Sequence, residues 1–211
     1  MADISYKEIL KKYGPLVSGS AFDCVDLYLF EKFVMPYYKP SKTPWCMAVG
    51  ATYERSAEVF KQFHKRCYEI DPEKVKTVAC NSRSVEENEM DDYDFKMLGT
   101  CGDARAGYPW EMPFIEARSE KSRYDLSFIR HPNLSEEFLD NWFAVFANAM
   151  DYTAPEGAVV TIINEMDREK YPYLLSSLED VGVKPVFLEP PGISQNEHSF
   201  QHAIGIFKPR F

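Results

Sequence analysis

From Trp45 onward the chain alternates short apolar runs with segments of helical period, and no other feature constrains its fold as much. Trp45–Val49 reads as a buried strand, followed by Gly50 and a helix through Phe63. Arg66–Ile70 reads as a second strand, and Pro72 stands at the favoured first-turn position of another helix. Phe95–Thr100, Tyr124–Ile129 and Gly157–Ile163 read as further strands. Ser135 caps a helix that carries Trp142, Val145, Phe146 and Ala149 along one side, and Tyr173–Val181 is a helix stopped by Gly182. Val183–Leu188 and Phe200–Phe207 are the last two strands.

Such alternation predicts an α/β fold around a mainly parallel sheet. The ending departs from it. The segment between the last two strands holds Pro190, Pro191 and Gly192 and shows no helical period. Strands joined by a loop pair antiparallel, because a parallel return needs a longer crossover. One antiparallel strand is therefore expected at the C-terminal side.

Residues 1–44 read as a helical extension to an α/β domain of residues 45–211. A helix over residues 4–13 stops at Gly14-Pro15. Ser20 caps a second, with Phe22, Val25, Leu29 and Phe33 at helical spacing, ended by Pro36. Tyr38–Pro44 is a proline-punctuated linker. The extension either covers the substrate side of the sheet or mediates a dimer, so a monomer or a homodimer is expected.

Charge narrows the partners. The chain has 24 Lys and Arg against 33 Asp and Glu, a formal net charge of −9. Nucleic-acid binders usually carry the opposite sign, and an acidic surface disfavours anionic membranes. No segment approaches the roughly 20 apolar residues of a membrane span, and the start shows no signal pattern. Five cysteines without a close pair argue against a disulfide framework or a zinc site, and a cytoplasmic setting is expected.

In an open α/β sheet, ligands bind at the carboxyl ends of the strands. Gly50 after the first strand, followed by Ala51, Thr52 and Tyr53, is a turn or a close approach of backbone to ligand. Glu69 and Ile70 end the expected second strand, and Glu69, 19 residues beyond Gly50, suits a ribose diol; Asp71 caps the next helix. Gly102-Asp103-Ala104 is a turn, or a carboxylate for an adenine amino group with room for the ring. Arg130-His131-Pro132-Asn133 comes after the fourth strand, where His131 is either a general base or structural. Pro109-Trp110 and Pro113-Phe114 either wall the adenine or pack a helix, and the acidic run Glu86–Asp94 reads as a solvated loop.

In this order the motifs resemble the class I S-adenosylmethionine-dependent methyltransferases over roughly Trp45–Phe211. The segments that carry the resemblance are Ala48–Glu54, Tyr68–Glu73, Gly102-Asp103-Ala104 and Tyr124-Asp125-Leu126. It implies a Rossmann-like three-layer sandwich with a seven-stranded sheet whose last strand is antiparallel. It also implies S-adenosylmethionine as cofactor, held by the Gly50–Tyr53 loop, Glu69, Ile70, Gly102, Asp103, Ala104 and Arg130. Methyl transfer to a small-molecule acceptor, with His131 taking its proton, is the expected activity. The chain departs from the family at Ala48, where an acidic residue is usual, and at Thr52 and Glu54, where glycines are usual. Two alternatives stand beside it: a methyltransferase-like binding protein without activity, and, from the Gly50 to Glu69 spacing, a nicotinamide-dependent oxidoreductase.

Overall fold

The computed structural model of the protein describes residues 4–17, 21–49, 56–81, 92–98, 124–130, 132, 139–164, 169–180, 182–189, 193–194 and 201–208. The chain opens with β1 (Ile4–Ser5), α1 (Tyr6–Tyr13) and α2 (Ala21–Leu29), which runs on through a π-helical turn, Phe30–Val34. Next come β2 (Trp45–Val49), α3 (Ser56–Tyr68), β3 (Lys76–Asn81), β4 (Phe95–Leu98) and β5 (Tyr124–Arg130). The remaining elements are α4 (Leu139–Tyr152), β6 (Thr153–Asn164), α5 (Tyr171–Asp180), β7 (Pro185–Glu189), β8 (Ile193–Ser194) and β9 (Gln201–Phe207).

Among the described residues seven strands form one sheet, in the order β4-β3-β2-β5-β6-β9-β7. Pairings from β4 across to β6 are parallel, and β9 runs antiparallel to both β6 and β7. The antiparallel C-terminal strand expected from the loop composition is present, inserted between β6 and β7.

The strands are apolar on both sides because helices cover both faces. β2 sends Cys46 and Ala48 into the core shared with α1, α2 and α3, and Met47 and Val49 into the core shared with α4 and α5. Residues of the N-terminal extension belong to the first of these cores. The ring of Phe30 lies 5.9 Å from Phe60, 5.5 Å from Phe63 and 5.0 Å from Phe128. Glu31 accepts a hydrogen bond from the Tyr13 hydroxyl at 2.9 Å and pairs with Arg66 of α3. Asp125 accepts from the amides of Ser41 at 2.7 Å and Trp45 at 2.8 Å, which seats the linker at the amino end of β5.

One sequence reading needs correction. Arg66–Ile70 is not a strand: α3 continues past Phe63 to Tyr68, and Glu69 ends it in the left-handed region with φ 56°. The Ile70 amide reaches back to the His64 carbonyl at 3.2 Å. Pro72 opens only a 3-10 turn, Pro72–Lys74, with the Asp71 side chain accepting from the Glu73 amide at 3.1 Å. The second strand of the sheet is β3, which begins at Lys76. Buried Phe60, Phe63 and His64 continue one helix face toward Cys67, and this packing outweighs the strand-like alternation of a short segment.

Candidate functional site

The chain leaves β2 through α3 toward β3 and β4, and leaves β5 through α4 toward β6. The direction of winding therefore reverses between β2 and β5, and in open α/β sheets ligands bind beyond the carboxyl ends at such a reversal. Val49 lies opposite Cys80 on one side and Ile129 on the other, so β2, β3 and β5 end nearly level. Asn81 pairs with Leu98 and Arg130 with Ile162, which extends that edge to β4 and β6.

Of the expected site residues, Arg130 stands on this edge, as the last residue of β5. It is 6% exposed. Its Nε lies 3.1 Å from Oδ2 of Asp26 in α2, and its guanidinium sits 5.2 Å from the Phe22 ring centroid. Burial of such a pair is tolerated because each charge compensates the other. Glu69 and Ile70 are not on this edge. They come after α3, which returns the chain to the amino ends of the strands, and Glu69 is exposed. Gly50, Ala51, Thr52, Tyr53, Gly102, Asp103, Ala104 and His131 lie outside the described residues, as do Pro109-Trp110 and Pro113-Phe114. From the acidic run, Asp94 is described. It accepts from the Thr77 amide at 2.8 Å and hydroxyl at 2.9 Å, fastening the starts of β3 and β4.

Sequence reasoning passed over Asp23 and Asp26. Both are fully buried, three residues apart on a helix that also buries Cys24, Val25 and Leu27. Two carboxylates at that spacing within an apolar helix share a face, and this was the available signal. Burial, and after it the Asp23 carboxylate, pushes the Cys24 thiol upward.

Solved structures share this architecture. The CcbJ methyltransferase from Streptomyces caelestis superposes with a TM-score of 0.55 at 10% identity, over 87% of this chain and 89% of that one. A methyltransferase from Pyrococcus furiosus gives 0.53 at 10% identity, over 89% and 83%. A TehB-like SAM-dependent methyltransferase from Corynebacterium glutamicum gives 0.52 at 11% identity, over 88% and 87%. The chain has the Rossmann-like methyltransferase fold. No protein-family model matches the sequence, and no curated protein matches it. Within the methyltransferase fold, β2, β3 and β4 form one half of the carboxyl edge and β5, β6 and β7 the other. Among the described residues no helix is long and apolar enough to cross a membrane.

Proposed function

We infer that the protein is an S-adenosylmethionine-dependent methyltransferase acting on a small-molecule acceptor. The observation that supports this reading is the strand order, with its winding reversal between β2 and β5, in a fold that superposes on solved methyltransferases over 87–89% of either chain. The residues that succeed the strands in the sequence include the donors and acceptors a nucleoside needs. β2 ends in Val49 and β3 in Cys80 and Asn81, nearly level with one another, and polar groups come after each strand in the sequence. Gly50–Tyr53 directly succeed β2 and are assigned the methionine portion, by backbone amides and the Thr52 hydroxyl. Asp103, within Gly102-Asp103-Ala104, is assigned the adenine amino group. The ribose role passes from Glu69 to Asn81, the first polar residue at the end of β3.

Bound there, the cofactor supplies a methyl group activated on a sulfonium. The chain then has to align the acceptor and exclude water. His131 is the residue next to Arg130 and is assigned the acceptor proton. Arg130 shapes the acceptor side, with its charge balanced by Asp26. An acidic chain with net charge −9 supports a small acceptor over nucleic acid.

Calorimetric titration of the full chain with S-adenosylhomocysteine tests the reading. Saturable binding that Asp103→Ala weakens about tenfold, a typical loss for a deleted hydrogen bond to a charged group, is expected. Absence of binding at millimolar ligand overturns it. Thr52 and Glu54 at usual glycine positions would then favour a methyltransferase-like binding protein without activity.

A further inference from the structure

Residues 38–44 run from the 3-10 turn Met35–Tyr37 to β2 and form neither helix nor strand. Lys39, Ser41, Lys42 and Thr43 are exposed, while Tyr38 and Pro44 at the two ends are buried. The segment crosses the amino ends of the strands. The Lys39 amide donates to the Glu156 carbonyl of β6 at 3.2 Å, and the Ser41 amide to Oδ1 of Asp125 in β5 at 2.7 Å. The Tyr68 hydroxyl donates to the Tyr38 carbonyl at 2.9 Å. The Tyr38 ring stacks on Phe63 at 5.9 Å and stands edge-on to His64 at 5.5 Å and to Tyr68 at 5.7 Å. A segment with an exposed middle and few apolar contacts opens more easily than the sheet it crosses.

Its buried end is tied to α3 through a titratable partner. The Tyr38 hydroxyl meets Nε2 of His64 at 2.7 Å, and Nδ1 of the same ring meets the Phe60 carbonyl at 2.7 Å. Cys46 of β2 approaches Nε2 at 3.9 Å, and Phe63 and Tyr68 of α3 complete the surround. Burial pushes the Tyr38 and Tyr68 hydroxyls and the Cys46 thiol upward, so all three stay neutral in acid. Asp125 is the charged group felt by Tyr38 and Cys46, and its two oxygens accept from the Ser41 and Trp45 amides. Arg66, farther along α3, pairs with Glu31. Among the described residues no carboxylate forms an ion pair with His64. A proton on the closed ring would be a buried charge without a counter-ion, and Nε2 would carry a hydrogen where it now accepts one from Tyr38.

We propose that residues 38–44 form a strap across the amino ends of β2 and β5 that opens separately from the rest of the fold, and that a proton on His64 drives the opening. Tyr38 leaves the face of α3 and water reaches Nε2. The flanks stay in place: Phe30 remains among Phe60, Phe63 and Phe128, and Trp45 remains in the sheet. Acid favours the open form because the exposed imidazole takes its proton at the ordinary 6.5 and the closed one only at about 4. The strap lies opposite the edge assigned to the ligand, so it stands whether or not the methyltransferase reading does.

Backbone amide exchange of the full chain tests the proposal. It is read by mass spectrometry from about pH 7 to about pH 5 and corrected for the intrinsic pH dependence of exchange. A peptide covering residues 39–44 reports on the strap, and residues 158–163 of β6 report on the whole fold. The strap is expected to exchange faster than β6 throughout. Urea below the unfolding transition is expected to speed β6 and leave the strap unchanged, because a local opening exposes little surface. Across this pH range the protection of the strap is expected to fall about twentyfold in the parent, the ratio set by titration at 6.5 when open and at about 4 when closed. In His64→Gln it is expected to stay within about twofold. Equal rates and equal urea dependence of strap and β6 overturn the separate opening. A flat parent profile, or an equal fall in His64→Gln, overturns the role of the proton. Should His64→Gln not fold, the parent profile decides: one histidine proton gives a fall that begins below 6.5 and approaches about tenfold per pH unit, and a fall with any other onset overturns it.

Discussion

Tyr38 donates its phenolic hydrogen to Nε2 of His64 across 2.7 Å, joining the linker to the buried face of α3. The direction is set by the other ring nitrogen. Nδ1 of His64 lies 2.7 Å from the Phe60 carbonyl, which can only accept, so Nδ1 carries the hydrogen and Nε2 is the acceptor. Cys46 approaches the same Nε2 at 3.9 Å, and Phe63 and Tyr68 close the aromatic surround. His64 is thus a neutral histidine built into the joint between the extension and the sheet.

This arrangement makes stability depend on pH in a stated direction. Burial lowers the His64 pKa from 6.5 to about 4, against a smaller opposing contribution from the Phe60 carbonyl. The unfolded chain therefore takes up a proton below pH 6.5 that the folded chain refuses until about pH 4. Stability from this group is complete above 6.5 and drains away as the pH falls toward 4. At about 1.4 kcal/mol per pH unit, the loss reaches about 2 kcal/mol by about pH 5. Urea titrations at neutral pH and near pH 5 check this by comparing the parent with His64→Gln. The parent is expected to lose about 2 kcal/mol more than the variant. Equal losses would show that His64 titrates normally.

Phe30→Ala tests whether the extension belongs to the same cooperative unit as the sheet. Phe30 is fully buried and its ring contacts two rings on α3 and one on β5. Truncating such a ring costs about 3–5 kcal/mol. The expected result is one thermal transition moved to lower temperature, monitored both by far-ultraviolet dichroism and by tryptophan emission from Trp45. Two separated transitions would mark the extension as an independent unit.

Glu69→Gly separates a structural from a ligand-binding role at one position. Glu69 holds φ at 56°, a conformation that glycine adopts without the cost a side chain brings. Replacing it is expected to raise stability by about 0.5–1 kcal/mol in chemical denaturation. Affinity for S-adenosylhomocysteine is expected to stay the same, because Glu69 lies toward the amino ends of the strands. A large loss of affinity would return the ribose to Glu69.

That residue also shows what was legible in the sequence and what was not. The layer order and the antiparallel ending could be read because strand and helix periods differ, and because prolines in the last connection left no room for a crossover. The second strand could not be read from its local pattern. α3 ends on a glutamate, without the glycine that usually marks a helix end, and Pro72 looks like a helix start although only one turn forms. With that strand misplaced by one element, the carboxylate expected for the ribose, Glu69, falls after α3 and toward the amino ends of the strands. The place of Arg130 at the end of β5 was legible because it stands directly after an apolar run. Its partner Asp26 lies 104 residues earlier, and no local pattern joins the two.

Two glycines in the sheet differ in how much their neighbours can yield. A Cβ on Gly157 would lie 2.5 Å from the Asp125 carbonyl oxygen, which is backbone in the central strand pairing. A Cβ on Gly205 would lie 2.7 Å from the Tyr171 hydroxyl, the end of a side chain. That hydroxyl is buried and makes no hydrogen bond among the described residues. Gly157→Ala is therefore expected to cost about 3 kcal/mol, and Gly205→Ala about 1–2 kcal/mol. Tyr171→Phe removes the atom that Gly205→Ala meets without forfeiting a hydrogen bond. The double variant is expected to recover most of the stability lost in Gly205→Ala, a coupling that urea titration of the four-member cycle measures directly. Additive losses would show that the Phe207 ring or the Thr161 methyl, each 3.1 Å from the added carbon, sets the limit instead.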